Sequence, residues 1–241
     1  MLSPRHAVAL AAAAAVVVTA GCGGDESVAS NNGAPATIGL GSNIDGTVGG
    51  IDGVAESADD VETIVMIGDS ITYGAVPEIE SRFTELGFDD VTIDAMPGKR
   101  ISRDIVDNPA GSSVAAFIAS GDDGQHDDEL WIVALGTNDV GQYASAEEIA
   151  GAVDEVLDAV PDDVPLVWVD VFFRDRPDEA AQVNAIIRER LARRGNAVVA
   201  PWTEFAGADG VLVGDGVHTT DSGADTFAFV VTDSTRAFLD R

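Results

Sequence analysis

From residue 61 onward, short β-rich runs alternate with longer segments whose apolar residues recur at helical spacing, and this alternation limits the chain to one class of fold. The runs cover 63–67, 91–95, 130–135, 165–172 and 197–202, each too short for a helix and mostly apolar on both faces. The segments between them cover about 77–86, 103–120, 146–159 and 178–194, and a last one covers 222–239. Strands that alternate with helices pair in parallel, because each crossover helix must pack back on the sheet. The expectation is an α/β fold: a three-layer α/β/α sandwich with a five-stranded parallel sheet, built by residues 61–241. In such sheets ligands gather at the carboxyl ends of the strands, where the loops into the helices sit.

Residues 1–60 do not share this pattern. Arg5 precedes an apolar block at 7–20, and small residues follow in "TAGCGG". The block is too short for a spanning helix, which needs roughly 20 apolar residues, so 1–21 reads as an export signal. The ending "VTAGC" resembles the lipobox of bacterial lipoproteins, with Thr19 where leucine is usual. That resemblance implies that Cys22 becomes the lipidated first residue of the mature chain, held at the outer face of a bacterial membrane or cell envelope. The alternative is a cleaved signal that leaves Cys22 as a thiol. Cys22 is the only cysteine, which excludes an internal disulfide and any cysteine-based metal site. Residues 22–60 are rich in Gly, Ser, Asn and acidic residues and cannot bury enough surface to offset chain entropy, so they read as a flexible tether.

Charge excludes one class of partner. Against 13 basic residues stand 42 acidic ones, a formal charge of −29, so nucleic acid is repelled rather than gathered. The acidic excess runs through the whole chain and suits a solvated surface. The run "GDDGQHDDE" at 121–129 lacks the ordered spacing of a calcium loop and reads as solvated sequence.

Three polar turns are expected on the carboxyl rim of the sheet: "GDSIT" after the first strand, "MPGKR" after the second and "GTND" after the third. A late segment, "DGVH", carries His218 with Asp215 three residues before it. Acyl transfer needs a hydroxyl nucleophile, a base, a group that orients the base, and donors for the oxyanion. Ser70, His218, Asp215 and Asn138 match these roles by type. Histidine suits the base because its ordinary pKa lies near neutrality, and His6 and His126 fall in the signal and the acidic run. Each residue also has a plainer reading: Ser70 as a helix cap, Asn138 and Asp215 as turn formers, His218 as a loop histidine, Gly98 as a residue with positive φ. Asp139 reads as structural, and Trp131, Trp168 and Trp202 read as core. The chemistry requires no metal and no cofactor.

"GDSIT", "GTND" and "DGVH" resemble blocks I, III and V of the SGNH (GDSL-like) hydrolases, in order and over essentially all of 61–241. The resemblance implies a flavodoxin-like SGNH hydrolase fold. It also implies Ser70 as nucleophile and oxyanion donor, Asn138 as a second donor, His218 as base, Asp215 as its partner, and Gly98 as the block II donor. The half after residue 165 looks like the extracytoplasmic SGNH domains attached to membrane acyltransferases that O-acetylate cell-wall polymers. The expected function is an exported serine esterase acting on short-chain or O-acetyl esters, an O-acetylated glycan among them. The alternatives are an O-acyltransferase acting on a cell-envelope glycan and a non-catalytic surface-binding lipoprotein.

Overall fold

The structure is a computed structural model that describes residues 61–121, 126 and 128–239. The expected signal, Cys22 and the tether lie outside the described residues. In chain order the elements are β1 (Thr63–Gly68), α1 (Ser70–Gly74), α2 (Val76–Glu85), β2 (Asp90–Ala95), α3 (Gly111–Ala119), β3 (Glu129–Ala134), a 3₁₀ turn (Thr137–Asp139), α4 (Ala146–Leu157), β4 (Leu166–Val169), α5 (Pro177–Arg194), β5 (Ala197–Ala200), α6 (Thr203–Ala206) and α7 (Asp221–Leu239).

The five strands form one parallel sheet in the order β2-β1-β3-β4-β5. Side chains alternate between its faces, so Val65, Ile67, Trp131 and Trp168 join one core while Ile64, Met66, Ile132 and Val167 join the other. The first core is covered by Val114 of α3, Ile149 and Val153 of α4, and Val183 and Ile187 of α5. The second is covered by Ile79 and Phe83 of α2 and by Phe227 and Val231 of α7. Burial on both faces is why the central strands read as continuous apolar runs. Only β2, at the edge, keeps partly exposed residues along its length. Trp131, Trp168 and Trp202 are all core residues, with at most 1% exposure.

The strand order reverses between β1 and β3. The chain leaves β1 toward β2 on one side and returns to β3 on the other, so the loops after β1 and β3 diverge and leave a crevice between them. At Gly68↔Ala134 the two strands end in register, which puts the residues that follow each of them at the same height.

Three expectations need correction. The helix expected at 103–120 occupies only Gly111–Ala119. Pro109 disfavours a helical conformation at Asn108, and Asp104 Oδ1 accepts from Ala110 N–H and Ser113 Oγ, closing an irregular loop before α3. The fourth and fifth strands stop at Val169 and Ala200, earlier than expected. Asp170 instead turns to bond Thr203 through its N–H and its hydroxyl, both at 2.8 Å. His126 is buried rather than solvated, with Nδ1 3.0 Å from Glu129 Oε2 and Nε2 3.2 Å from the Ala119 carbonyl. The structure also adds a short helix, α1, that begins at Ser70 itself.

The loop from β4 to α5 is held by a buried amide. Asn184 Oδ1 accepts from Val171 N–H at 2.7 Å, and its Nδ2 donates to the Val171 carbonyl at 2.8 Å. Replacing Asn184 with Ala strands both groups of a buried residue, so Asn184→Ala is expected to cost about 3 kcal/mol of stability. A lowered denaturant midpoint at unchanged slope is the expected result. A midpoint equal to that of the parent protein would show that the loop is held by other contacts.

Candidate active site

The loop after β1 contains Asp69, the N-cap of α1, whose carboxylate accepts from Ile71 N–H at 2.9 Å. Capping by Asp69 leaves Ser70 at the first helical position, with its side chain turned to the rim. Ser70 Oγ lies 3.0 Å from His218 Nε2, and His218 Nδ1 lies 2.8 Å from Asp215 Oδ2. The hydroxyl and the imidazole are 148 residues apart in the chain. Asp215 also accepts from the N–H groups of Val217 and His218, at 2.9 and 3.0 Å. One carboxylate thus fixes both the imidazole and the backbone that carries it. The turn passes through Gly216, whose φ of +73° is strained for a residue with a Cβ.

Electrostatics matches this geometry. The hydrogen bond from His218, with help from the two backbone donors, holds the Asp215 carboxyl down to about 2. Asp215 is therefore a carboxylate at any pH where histidine can act as a base, and it selects the tautomer with a proton on Nδ1 and a lone pair on Nε2. Both side chains are about half exposed, so the charge is solvated as well as paired.

The candidate oxyanion donors stand on three different loops. Ser70 N–H and Gly98 N–H have no acceptor among the described residues. Gly98 is the third residue of a turn closed by Lys99 N–H to the Met96 carbonyl at 3.1 Å, and its φ of +80° after Pro97 is the geometry of a type II turn. Asn138 sits in the 3₁₀ turn after β3. Its Nδ2 donates to the Lys99 carbonyl at 3.0 Å and makes a long contact, 3.4 Å, to Asp69 Oδ2. The first bond anchors the amide to the Gly98 turn, and the second, longer and weaker, turns the other proton toward the Asp69 carboxyl.

Three further residues support this arrangement. Asp139 is fully buried and accepts from Ile101 N–H at 3.0 Å, Arg100 Nε at 3.2 Å and Tyr143 Oη at 2.9 Å, so it ties the loop after β3 to the loop after β2. Its structural reading was legible in the sequence, but not its partners. Asp69 was not singled out at all. Burial pushes its carboxyl up to about 7, against the opposing pull of Ile71 N–H and the His218 charge. Its signal was its place in "GDS", immediately before the candidate nucleophile. Lys99, the only lysine, is buried and pairs with Asp94 at 2.9 Å, which fixes the Gly98 turn from beneath.

No curated protein matches the chain by sequence. Among solved structures, the chain is similar to the C-terminal catalytic domain of Streptococcus pneumoniae peptidoglycan O-acetyltransferase A, with 16% identity over 75% of this chain and 96% of that one and a TM-score of 0.55. It is similar to a carbohydrate acetylesterase family member from Sinorhizobium meliloti, with 13% identity over 74% of this chain and all of that one and a TM-score of 0.57. A member of the lipolytic G-D-S-L family from Veillonella parvula shares 14% identity over 71% of this chain and 96% of that one, with a TM-score of 0.53. These likenesses establish the fold. Residues 66–226 match the model of the GDSL-like lipase/acylhydrolase family, and the chain belongs to that family of SGNH ester hydrolases and acyltransferases.

Proposed function

We propose that the chain is an exported serine esterase that removes short acyl groups, acetyl foremost, from hydroxyls of a cell-envelope glycan. The observation that carries this reading is the continuous chain Ser70 Oγ, His218 Nε2, His218 Nδ1, Asp215 Oδ2, with contacts of 3.0 and 2.8 Å. Ser70 Oγ attacks the ester carbonyl as His218 Nε2 takes its proton. The oxyanion is met by Ser70 N–H, Gly98 N–H and the second amide proton of Asn138, which exchanges its long 3.4 Å contact to Asp69 for the developing charge. Collapse of the tetrahedral species expels the alcohol, which takes the proton from His218. Water, deprotonated by the same imidazole, then attacks the acyl-enzyme and releases the acid.

The openness of the site supports a small acyl group on a large alcohol. Asp215 and His218 are half exposed, and Tyr73 of α1, Met96 before the Gly98 turn and Val213 before Asp215 are exposed apolar side chains. A half-exposed imidazole also admits water as the acceptor, which favours hydrolysis over transfer. The apolar block at 7–20 supports export, and Cys22 is the proposed point of lipid attachment.

A soluble form starting after Cys22 is expected to hydrolyse nitrophenyl acetate faster than the butyrate and octanoate, and Ser70→Ala is expected to lose this turnover. No turnover above that variant, in a folded protein, would shift the reading to a transferase with a strict acceptor or to a binding protein. Asn138→Ala is expected to lower kcat on the order of 100-fold, and an unchanged kcat would remove Asn138 from the oxyanion site.

The sign of the pH dependence follows from the carboxylates and the base. Asp215, held to about 2, stays a carboxylate and adds no limb to the kcat/KM profile above about pH 3, so any rise toward neutral pH is expected to survive in a variant that keeps Asp215 charged. Asp69 adds a second ionisation at about 7, next to Asn138. Asp69→Asn keeps an acceptor for Ile71 N–H but cannot ionise, and is expected to change the profile only near that pH. A profile flat from pH 5 to 9 in the parent protein would count against His218 as the base.

A further inference from the structure

The loop from β4 to α5, residues 170–176, touches both loops that carry the proposed machinery. Arg174 N–H donates to the Gly216 carbonyl at 3.2 Å, within the turn between Asp215 and His218. The Arg174 stem lies across the bare face of Gly216, where an added Cβ would come within 2.6 Å of Arg174 Cβ and 3.2 Å of its Cδ. On the other side, Arg176 Nη1 makes a long hydrogen bond, 3.4 Å, to the carbonyl of Val140, two residues past Asn138, and the guanidinium stacks over Phe173 at 5.7 Å.

Both arginines are exposed, and neither pairs with a carboxylate among the described residues. In a chain with 42 acidic residues, six of the described arginines pair with carboxylates: Arg100, Arg103, Arg188, Arg190, Arg193 and Arg236. Arg174 is the one described arginine whose side chain meets no carboxylate, carbonyl or ring among the described residues. An exposed guanidinium on an anionic surface ordinarily finds a carboxylate, yet this one is held by its backbone and stem against the turn of the candidate base. Its five donors remain available to a ligand.

We infer that Arg174, seconded by Arg176, forms an anion-binding flank of the Ser70 site that selects acyl esters whose alcohol part carries a carboxylate or phosphate. The flank works against the long-range repulsion of a chain with a net charge of −29, so it acts at contact distance and sets KM and selectivity rather than steering approach. The inference rests on the esterase reading and narrows its substrate to an anionic glycan.

The test compares three acetyl esters on the full chain: neutral phenyl acetate, 4-acetoxybenzoate with a carboxylate on the leaving alcohol, and 4-acetoxyphenyl phosphate. The parent protein is expected to favour at least one anionic ester over the neutral one in kcat/KM, and the better of the two identifies the anion. Arg174→Gln, which keeps the backbone bond and most of the stem, is expected to reduce that preference about tenfold, chiefly through KM, with partial rescue in Arg174→Lys. Raising the salt concentration is expected to erode the preference in the parent protein. Ser70-dependent turnover with no preference for either anion, or a preference unchanged in Arg174→Gln and in the Arg174→Gln, Arg176→Gln double variant, would overturn the inference alone. Absence of Ser70-dependent turnover on phenyl acetate would overturn the esterase reading and the inference with it.

Discussion

All five strands run in one direction, so every loop that leaves a carboxyl end emerges on the same edge of the sheet. The reversal of strand order between β1 and β3 keeps two of those loops from covering each other. Ser70 and Asn138, 68 residues apart by number, face the same crevice because Gly68 and Ala134 end their strands in register. The rigidity needed for chemistry comes from strands with almost no exposure, while the groups that do chemistry stand on loops that one crossover topology brings together. The Ser70 hydroxyl, the His218 imidazole and the Asn138 amide meet there without any one segment of sequence containing them.

Holding those loops in place falls to buried aspartates. Asp69 after β1, Asp139 after β3 and Asp170 after β4 each accept a backbone N–H, from Ile71, Ile101 and Thr203 respectively. Desolvation raises the pKa of all three, and each is stabilised as an acceptor by fixed donors rather than by water. Between pH 3.8 and about 7 the folded chain keeps a proton on Asp69 that the unfolded chain has released. That group therefore contributes a stabilisation that is complete at low pH and fades as pH rises through this window. Asp215 behaves in the opposite sense. It is half exposed and held low by His218 and by the Val217 and His218 N–H groups, so it stays charged while fixing its own turn.

Much of this was legible in the sequence for physical reasons. The alternation of apolar runs with helical spacing predicts the sheet and its flanking layers, because a strand buried on both faces must be apolar throughout. The motifs around Ser70, Gly98 and Asn138 point to one rim because each follows a strand, whereas His218 arrives in a late turn after α6 and could be matched to them only by residue type. What could not be read were properties decided by distant contacts. Residues 103–110 have helical spacing, but Pro109 and the Asp104 side chain offer the backbone a better set of bonds. His126 sits in an acidic run that reads as solvated, yet its ring is satisfied by Glu129 and by the end of α3. Arg174 lies in an ordinary polar loop, and only the fold shows that its stem rests on Gly216. Asn184 would pass as a polar residue on a helix, although both ends of its amide are committed to Val171.

The Ser70 to His218 contact spans most of the folded domain, and this separation has a consequence for how activity appears. A chain leaving a ribosome or a translocation channel presents the hydroxyl early and the imidazole only near its end. Until the turn at Asp215 docks and α7 closes over the second core, Ser70 has no imidazole beside it. The pairing of hydroxyl and imidazole is thus a product of the completed fold, decided by the last segment to dock rather than by the strand that carries Ser70.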